Sequence, residues 1–338
     1  MSARLSSLLG RSVVALGAVL VLGASAAAHA QKTVEFRYGH MNPPTSAAGI
    51  QAAWFAEALA KYSNGQIKTT VYPSSQLGKL QELAEAVSTG TIALSHNTAG
   101  GIGSLYEPFA ALDTPYLYRD VDHLMKVVDV NSPVMKKLNE GLIKAAGVRV
   151  LYGYYFGTRQ LTTKKAVLQP SDLAGMKIRA IPFPIYMTAV EGLGAVPVPV
   201  DWSEVPTALA TGVVNGQENP VNVVLSSKLY ESQSHMMLTG HIMNAQFIII
   251  NEKTWQGLSP ELKAAVAKAA EDVRARATDS VRKSEADETA RLKELKMTVI
   301  GPAEGLKLDA FKASVGKLVT ERFAARNGEM YKEIAAVK

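Results

Sequence analysis

The sequence predicts an α/β fold of two lobes, with a ligand cleft between the lobes and a long helix spanning both. Three observations carry this expectation. Short apolar strand segments alternate with helical segments along most of the chain, the pattern of a parallel or mixed sheet covered by helices on both faces. From Ser259 to about Lys296 the pattern gives way to an Ala-rich, charge-laced stretch without Gly, and without Pro after Pro260. As one helix it would reach ~50 Å at 1.5 Å per residue, a length for which one compact lobe has no use. Finally, no internal repeat, low-complexity tract or Gly/Ser linker divides the 338 residues. Two lobes then require the chain to cross between them more than once through short hinges.

The elements follow in order. Residues 1–30 are expected to be a signal peptide and not part of the fold. Arg4 and Arg11 give a positive start, Ser12 to Ala24 is an apolar run, and Ala28-His29-Ala30 is a small-residue cleavage site. The run falls short of the about 20 residues that a helix needs to span a bilayer. Thr33 to Gly39 reads as a strand with Val34, Phe36 and Tyr38 on one face. Pro43-Pro44-Thr45-Ser46 opens a helix with Thr45 or Ser46 as cap, and Asn64-Gly65 ends it. Ile67 to Tyr72 is a strand, Leu77 to Thr89 a helix, and Ile92 to Leu94 a short buried strand. Arg149 to Tyr155, Lys177 to Ala180 and Gln246 to Asn251 complete the strands. Ser259 as cap and Pro260 at the first helical position start the long helix. Two ordinary helices with a break near Asp279 are the equal alternative.

Composition excludes several function classes. There is no Cys, hence no disulfide framework and no thiolate metal site; in an exported chain of this size the zero points to a Gram-negative periplasm. The net charge of +6 falls to +4 when Arg4 and Arg11 leave with the signal peptide. Lys and Arg are scattered, with no basic patch interleaved with aromatics, so no nucleic acid is expected as partner. The six His residues contain no i, i+4 pair of the helical zinc type. No nucleophile elbow and no Gly-Lys-Ser/Thr phosphate loop occurs. Gly101-Ile102-Gly103 resembles half of a dinucleotide fingerprint, but Tyr106 stands at the third glycine position. Neither catalysis nor a cofactor is expected.

Polar groups in apolar settings remain. Arg179 lies in Lys177-Ile178-Arg179-Ala180-Ile181-Pro182, a strand leading to a turn with aliphatic neighbours. A buried guanidinium needs an anion, either a ligand carboxylate that it can hold with two parallel hydrogen bonds or a structural Asp or Glu. Arg159 follows the aromatic run Tyr154-Tyr155-Phe156-Gly157-Thr158 and presents the same alternatives. In Gly216-Gln217-Glu218-Asn219-Pro220 the proline biases Asn219 to an extended conformation that can aim its amide. Trp202, between Asp201 and Ser203, offers a flat face to a ligand or a core contact.

Four segments together resemble the substrate-binding proteins of tripartite ATP-independent periplasmic (TRAP) transporters. They are Tyr72 to Gly78, Gly157 to Gln160, Asp172 to Arg179 and Gly216 to Pro220. The resemblance implies a periplasmic-binding-protein fold, in which two α/β lobes close on the ligand. The lobes are expected at 31–156 with about 245–284, and at 157–244 with about 285–338. By the same match Arg179 takes the ligand carboxylate, Asn219 and Arg159 supply further polar contacts, and Glu218, beside Gln217, holds Arg159. The chain departs from the sialic-acid receptors of the family at Lys79, Asn97, Trp202 and Phe183-Pro184. Loss of acidic partners for hydroxyls, and a larger aromatic, imply a smaller acid with an apolar or aromatic portion, near Asn97, Trp202 and Phe183. The implied function is a monomeric periplasmic receptor that delivers a small organic carboxylate to TRAP membrane subunits driven by an ion gradient. A ligand-sensing subunit for a membrane signalling protein is the alternative.

Overall fold

The computed structural model describes residues 33–338; the signal peptide expected at 1–30 lies outside the described residues. A nine-stranded sheet forms the frame. Its strands are β1 (Val34–Gly39), β2 (Ile67–Tyr72), β3 (Leu94–Asn97), β4 (Val148–Thr163), β5 (Lys177–Ala180), β6 (Val196–Pro199), β7 (Gly216–Pro220), β8 (His235–Asn251) and β9 (Thr298–Ile300). The spatial order is β2-β1-β3-β8-β4-β7-β5-β6, with β9 beside β8. β1 runs parallel to β2 and β3, and β5 runs parallel to β6 and β7. Between these two parallel sets lie β4 and β8, antiparallel to each other.

The two central strands give the molecule its two lobes. The end of β8 pairs with β3 through Phe247 to Ile250, and the end of β4 pairs with β7 through Arg159 to Thr163. Each long strand thus starts in one half of the sheet and finishes in the other. Their mutual pairing shifts register between Val150 and Tyr152, between Tyr155 and Gly157, and between Arg159 and Leu161. Such bulges bend a strand and re-aim its side chains. Sequence patterning predicted these strands only at Arg149–Tyr155 and Gln246–Asn251. A strand whose alternation is reset at each bulge loses the period-2 signal that would extend it.

Local chemistry explains the helix boundaries. Ser46 Oγ accepts from Gly49 N at 3.1 Å and starts the helix Ala47–Tyr62. That helix ends where Asn64 and Gly65 take positive φ, at 51° and 77°, a conformation Asn and Gly reach at little cost. The helix expected from Leu77 begins later, at Leu80, with Lys79 as its cap. Ser259 Oγ accepts from Leu262 N at 3.3 Å, with Pro260 in the first turn. From there one helix of 35 residues, the brace helix, runs unbroken from Pro260 to Glu294. It passes Asp279 without interruption, so the two-helix alternative is not what forms.

The cores follow the lobes. One face of the first half-sheet packs Phe36, Phe55, Tyr152 and Tyr154 against Leu262, Val266, Val273 and Ala277 of the brace helix. The other face packs Leu83, Phe109, Leu138 and Phe247. In the second half, Ile178, Tyr186, Leu193 and Phe311 form one cluster, and Val205, Leu209, Val214 and Leu292 another. Leu292 belongs to the brace helix, which therefore buries side chains in both halves. Among the described residues no helix is long and apolar enough to cross a membrane.

Candidate functional site

A cavity of ≈ 30 Å³ lies between the two half-sheets. Its wall is built where parallel strands end: Met41 and Asn42 just beyond β1, Thr98 just beyond β3, Arg179, Ile181 and Pro182 at the end of β5, and Asn219 in β7. Ligands of open α/β sheets bind outside the carboxyl ends of the strands, and here two such ends face one another. The central strands supply Phe156, Arg159 and Gln246, and the turn after β6 supplies Asp201 and Trp202.

Arg159 and Arg179 both reach this cavity, and both are almost fully buried, at 1% and 2% exposure. Their partners differ. Arg159 Nε and Nη2 bond the Glu218 carboxylate at 2.5 and 2.8 Å. Nη2 also donates to the Glu218 carbonyl at 2.7 Å and to Asn219 Oδ1 at 3.1 Å, and Nη1 to Asn244 Oδ1 at 3.2 Å. Burial alone would raise the Glu218 pKa, but the Arg159 charge and hydrogen bonds from His241 and Arg159 hold it at about 2. His241 Nε2 lies 3.0 Å from Glu218 Oε2, with Thr239 Oγ1 2.8 Å from its other ring nitrogen. Arg159 is thus a satisfied, neutralised cation.

Arg179 is not. Nε donates to the Val200 carbonyl at 2.8 Å, and Nη1 is buried with no hydrogen-bond partner. Among the described residues no carboxylate lies within 4.0 Å of its guanidinium, whereas Arg159 has one. Burial away from water, reinforced by the Arg159 charge, pulls the Arg179 pKa down to about 10 against the pull of Glu218 and Asp201. The guanidinium carbon sits 5.7 Å from the centre of the Trp202 ring, a cation–π distance that helps to hold the charge in place. An orphaned donor on a buried cation costs several kcal/mol unless something accepts from it. A carboxylate satisfies it in the geometry guanidinium prefers.

Of the residues named from sequence, Arg179, Arg159, Asn219 and Trp202 line this one cavity. Asn219 Nδ2 donates to Gln217 Oε1 at 2.5 Å, and Gln217 Nε2 donates to Thr162 Oγ1 at 2.9 Å. Gln217 and Glu218 therefore stand behind the wall and orient what faces the cavity. The other two lie elsewhere. Asn97 is fully buried and donates to the Leu80 carbonyl at 2.9 Å, fixing the start of the helix Leu80–Thr89. Phe183 packs in the core beside Tyr186 and lines a separate apolar cavity of ≈ 250 Å³ with Gly100, Pro184 and Phe323. Lys79 reaches across the cavity mouth to Asp201 at 2.5 Å.

Sequence reasoning passed over Asn42, Thr98 and Gln246, which line the cavity, and a polar chain behind Arg159. There Asn244 Nδ2 donates to Asp113 Oδ1 at 3.0 Å, while Asp113 Oδ2 accepts from Tyr186 Oη and Gly100 N, both at 2.7 Å. Burial raises the Asp113 pKa to about 6. Only two cues were available. Asn42 precedes Pro43-Pro44, and Thr98 precedes a helical turn, which it caps by accepting from Gly101 N at 3.0 Å.

Comparison with known proteins agrees with this architecture. The family model of the bacterial extracellular solute-binding proteins, family 7, matches residues 38–326. The sialic acid-binding periplasmic protein SiaP of Vibrio cholerae is 30% identical over 307 residues, 90% of this chain and 92% of that protein. The C4-dicarboxylate-binding periplasmic protein DctP of Rhodobacter capsulatus is 31% identical over 265 residues, 78% of this chain and 77% of its own. Among solved structures, a TRAP periplasmic solute-binding protein from a Polaromonas species, bound to D-erythronate, superposes with a TM-score of 0.83. It is 31% identical, and the match covers 90% of this chain and 99% of that one.

Proposed function

Because the chain belongs to the bacterial extracellular solute-binding proteins, family 7, we propose that it is a periplasmic receptor whose Arg179 takes the carboxylate of a small organic acid. The acid is then delivered to the membrane subunits of a TRAP transporter. The observation that carries the proposal is the unpartnered Nη1 of a buried arginine on the wall of a cavity between the half-sheets. Sialic acid, C4-dicarboxylates and D-erythronate, the ligands of the three relatives, all carry a carboxylate. In this reading Arg159, locked by Glu218, is a fixed donor beside the carboxylate, Asn219 is aimed by Gln217, and Trp202 covers Arg179.

The lobes that close on the acid are 31–156 with about 245–284, and 157–244 with about 285–338. Supporting this division, Gly157 of β4 pairs with Asn244 of β8, next to a register shift. Bending at that pair opens the cavity while leaving both half-sheets intact. Residues 1–30 are the export signal and the receptor acts as a monomer. Its work is binding and release, for which no reacting side chain is needed.

Thermal melts of the protein beginning at residue 31, with a panel of small organic acids, test the proposal. An acid at 100 times its Kd raises stability by about 2.7 kcal/mol. Arg179→Ala is expected to abolish that response, and an undiminished response in the variant would refute the assignment.

A further inference from the structure

We infer that the last helix, Leu308–Ala336, is anchored in both lobes and bends at Asn327-Gly328 when they move. This rests on the reading of two lobes that close on a ligand, and adds a joint that the central strands do not supply.

The helix is held by a different core at each end. Phe311, Val315, Val319 and Phe323 are buried with Ile178, Tyr186 and Leu193 of the second half. Arg322 fixes this part further, its Nη1 and Nη2 donating to the two Glu191 carboxylate oxygens at 2.8 and 2.7 Å. Met330 and Ile334 are buried instead with Phe109, Leu138 and Phe247 of the first half. Polar contacts seat that end. The Arg119 guanidinium donates to the carbonyls of Ala335 and Val337 at 3.1 and 2.6 Å. Arg119 N donates to His123 Nδ1 at 3.2 Å, which leaves the ring proton on Nε2, 2.9 Å from the Ile334 carbonyl. Donors placed there satisfy the carbonyls that a helix leaves without an internal partner at its carboxyl end. Lys137 meets Glu333 at 2.6 Å, and Tyr331 Oη lies 3.0 Å from Thr114 Oγ1. The final turns are therefore seated in the first lobe, which refines the boundary within about 285–338.

A rigid helix tied to both lobes would oppose motion about Gly157 and Asn244. In the brace helix the buried side chains stop at Val281 and resume at Leu292, so curvature can spread over the ten residues between. In the last helix the two apolar anchors are separated only by Ala324 to Glu329, and the bend is confined to that interval.

This interval contains the weakest helical step. Glycine is about fivefold less favourable than alanine in a helix interior, and asparagine is also a poor helix former. Packing does not call for the glycine. A Cβ at Gly328 would meet nothing within 4 Å among the described residues, and its φ is not positive. The cavity of ≈ 250 Å³ lies against the same turn, with Phe323, Arg326 and Asn327 on its wall, which gives the helix room. The ion pair there, Arg326 to Glu107 at 2.8 Å, is half-exposed on both sides and holds the turn only weakly. Gly316 supplies a comparison within the same helix. An added Cβ is equally free there, but the residue lies between Val315 and Val319, inside the second-lobe anchor.

The chain has no Cys, so Glu85→Cys and Thr207→Cys introduce the only two sites for spin labels. Both positions are exposed, on the helices Leu80–Thr89 and Val205–Ala210, which begin beside the Lys79–Asp201 pair at the cavity mouth. Pulsed spin-resonance distances in the unliganded protein are expected to show a short and a long population. The short one is the form in which Lys79 meets Asp201 and the helix runs unbroken through residue 328. Gly328→Ala is expected to raise the ratio of short to long by up to about fivefold, and Gly316→Ala to leave it unchanged. A ratio unmoved by Gly328→Ala, or moved as far by Gly316→Ala, overturns the joint, as does a single distance in all three proteins. The measurement needs no acid, so the joint and the Arg179 assignment fail separately: melts indifferent to Arg179→Ala overturn the assignment and leave the distances as they are.

Discussion

Arg159 and Arg179 are arginines of equal burial on the wall of one cavity, and their surroundings give them opposite roles. Arg159 is fully bonded to Glu218, Asn219 and Asn244, so its partner is structural. Removing one member of such a pair strands a buried charge, and Glu218→Ala is expected to cost about 3–5 kcal/mol in chemical denaturation. Arg179→Ala removes a cation that lacks an ionic partner and should leave the unliganded melt unchanged or raised; a lysine there should restore little binding, since a point charge cannot make the forked contact. A second expectation concerns pH. His40 has a folded pKa of about 4, below the ordinary 6.5, so the unfolded chain binds the proton more readily between those values. Stability from this group is therefore present above pH 6.5 and lost as pH falls towards 4, by up to about 3 kcal/mol. Asp113, with its pKa raised to about 6, acts in the opposite sense over part of that range. Denaturation midpoints between pH 7 and 4 should accordingly fall less steeply in His40→Gln than in the unaltered protein. At this scale the two arginines, Asn219 and Trp202 were legible because a charge or amide among apolar neighbours is anomalous in one dimension. Asn42, Thr98 and Gln246 were not, since each looks like an ordinary loop, cap or strand residue until the topology brings three strand regions together.

Among the elements, β4 and the brace helix show what one-dimensional patterns can and cannot report. Caps and proline placement announced the helix from Pro260, and absence of Gly over its length agreed with a single run. β4 was seen only to Tyr155, because Gly157 sits at φ 122° beside a bulge and interrupts alternation. That glycine has a physical role. A Cβ there would stand 2.7 Å from Pro220 Cβ and 3.1 Å from Asn222 Nδ2, and the positive φ is one that side chains rarely tolerate. Gly157→Ala should therefore destabilise by about 1–3 kcal/mol, with ligand affinity reduced as well, since the bulge sets the positions of Phe156 and Arg159. In the brace helix Asp279→Pro removes a mid-helix hydrogen bond and should cost about 3 kcal/mol or more, measured by thermal or denaturant unfolding.

For the molecule as a whole, the sheet order explains how one chain makes two lobes without a linker. β4 and β8 are shared, and the cavity lies where the carboxyl ends of two parallel sets converge. Lys79, at the start of a helix in the first lobe, meets Asp201 of the second across the mouth. Both side chains are partly exposed, so the pair adds little to stability. Its contribution falls on the closed form, and Lys79→Ala is expected to weaken ligand binding by at most about fivefold, an effect that shrinks as salt is added. Alternation of strands and helices made the two-lobed α/β frame readable. The crossing of β4 and β8, which brings the two sets of strand ends together around the cavity, depends on long-range pairing that no local pattern encodes.

The proposed carboxylate receptor is the guanidinium of Arg179, whose Nη1 has no partner. A crystal structure of the protein with an acid that raises its melting temperature tests it most directly. Both carboxylate oxygens are expected at about 2.7–2.9 Å from Arg179 nitrogens, Nη1 among them, with the Arg159–Glu218 pair unchanged. A ligand whose carboxylate lies elsewhere, with Arg179 Nη1 still unpartnered, would contradict it.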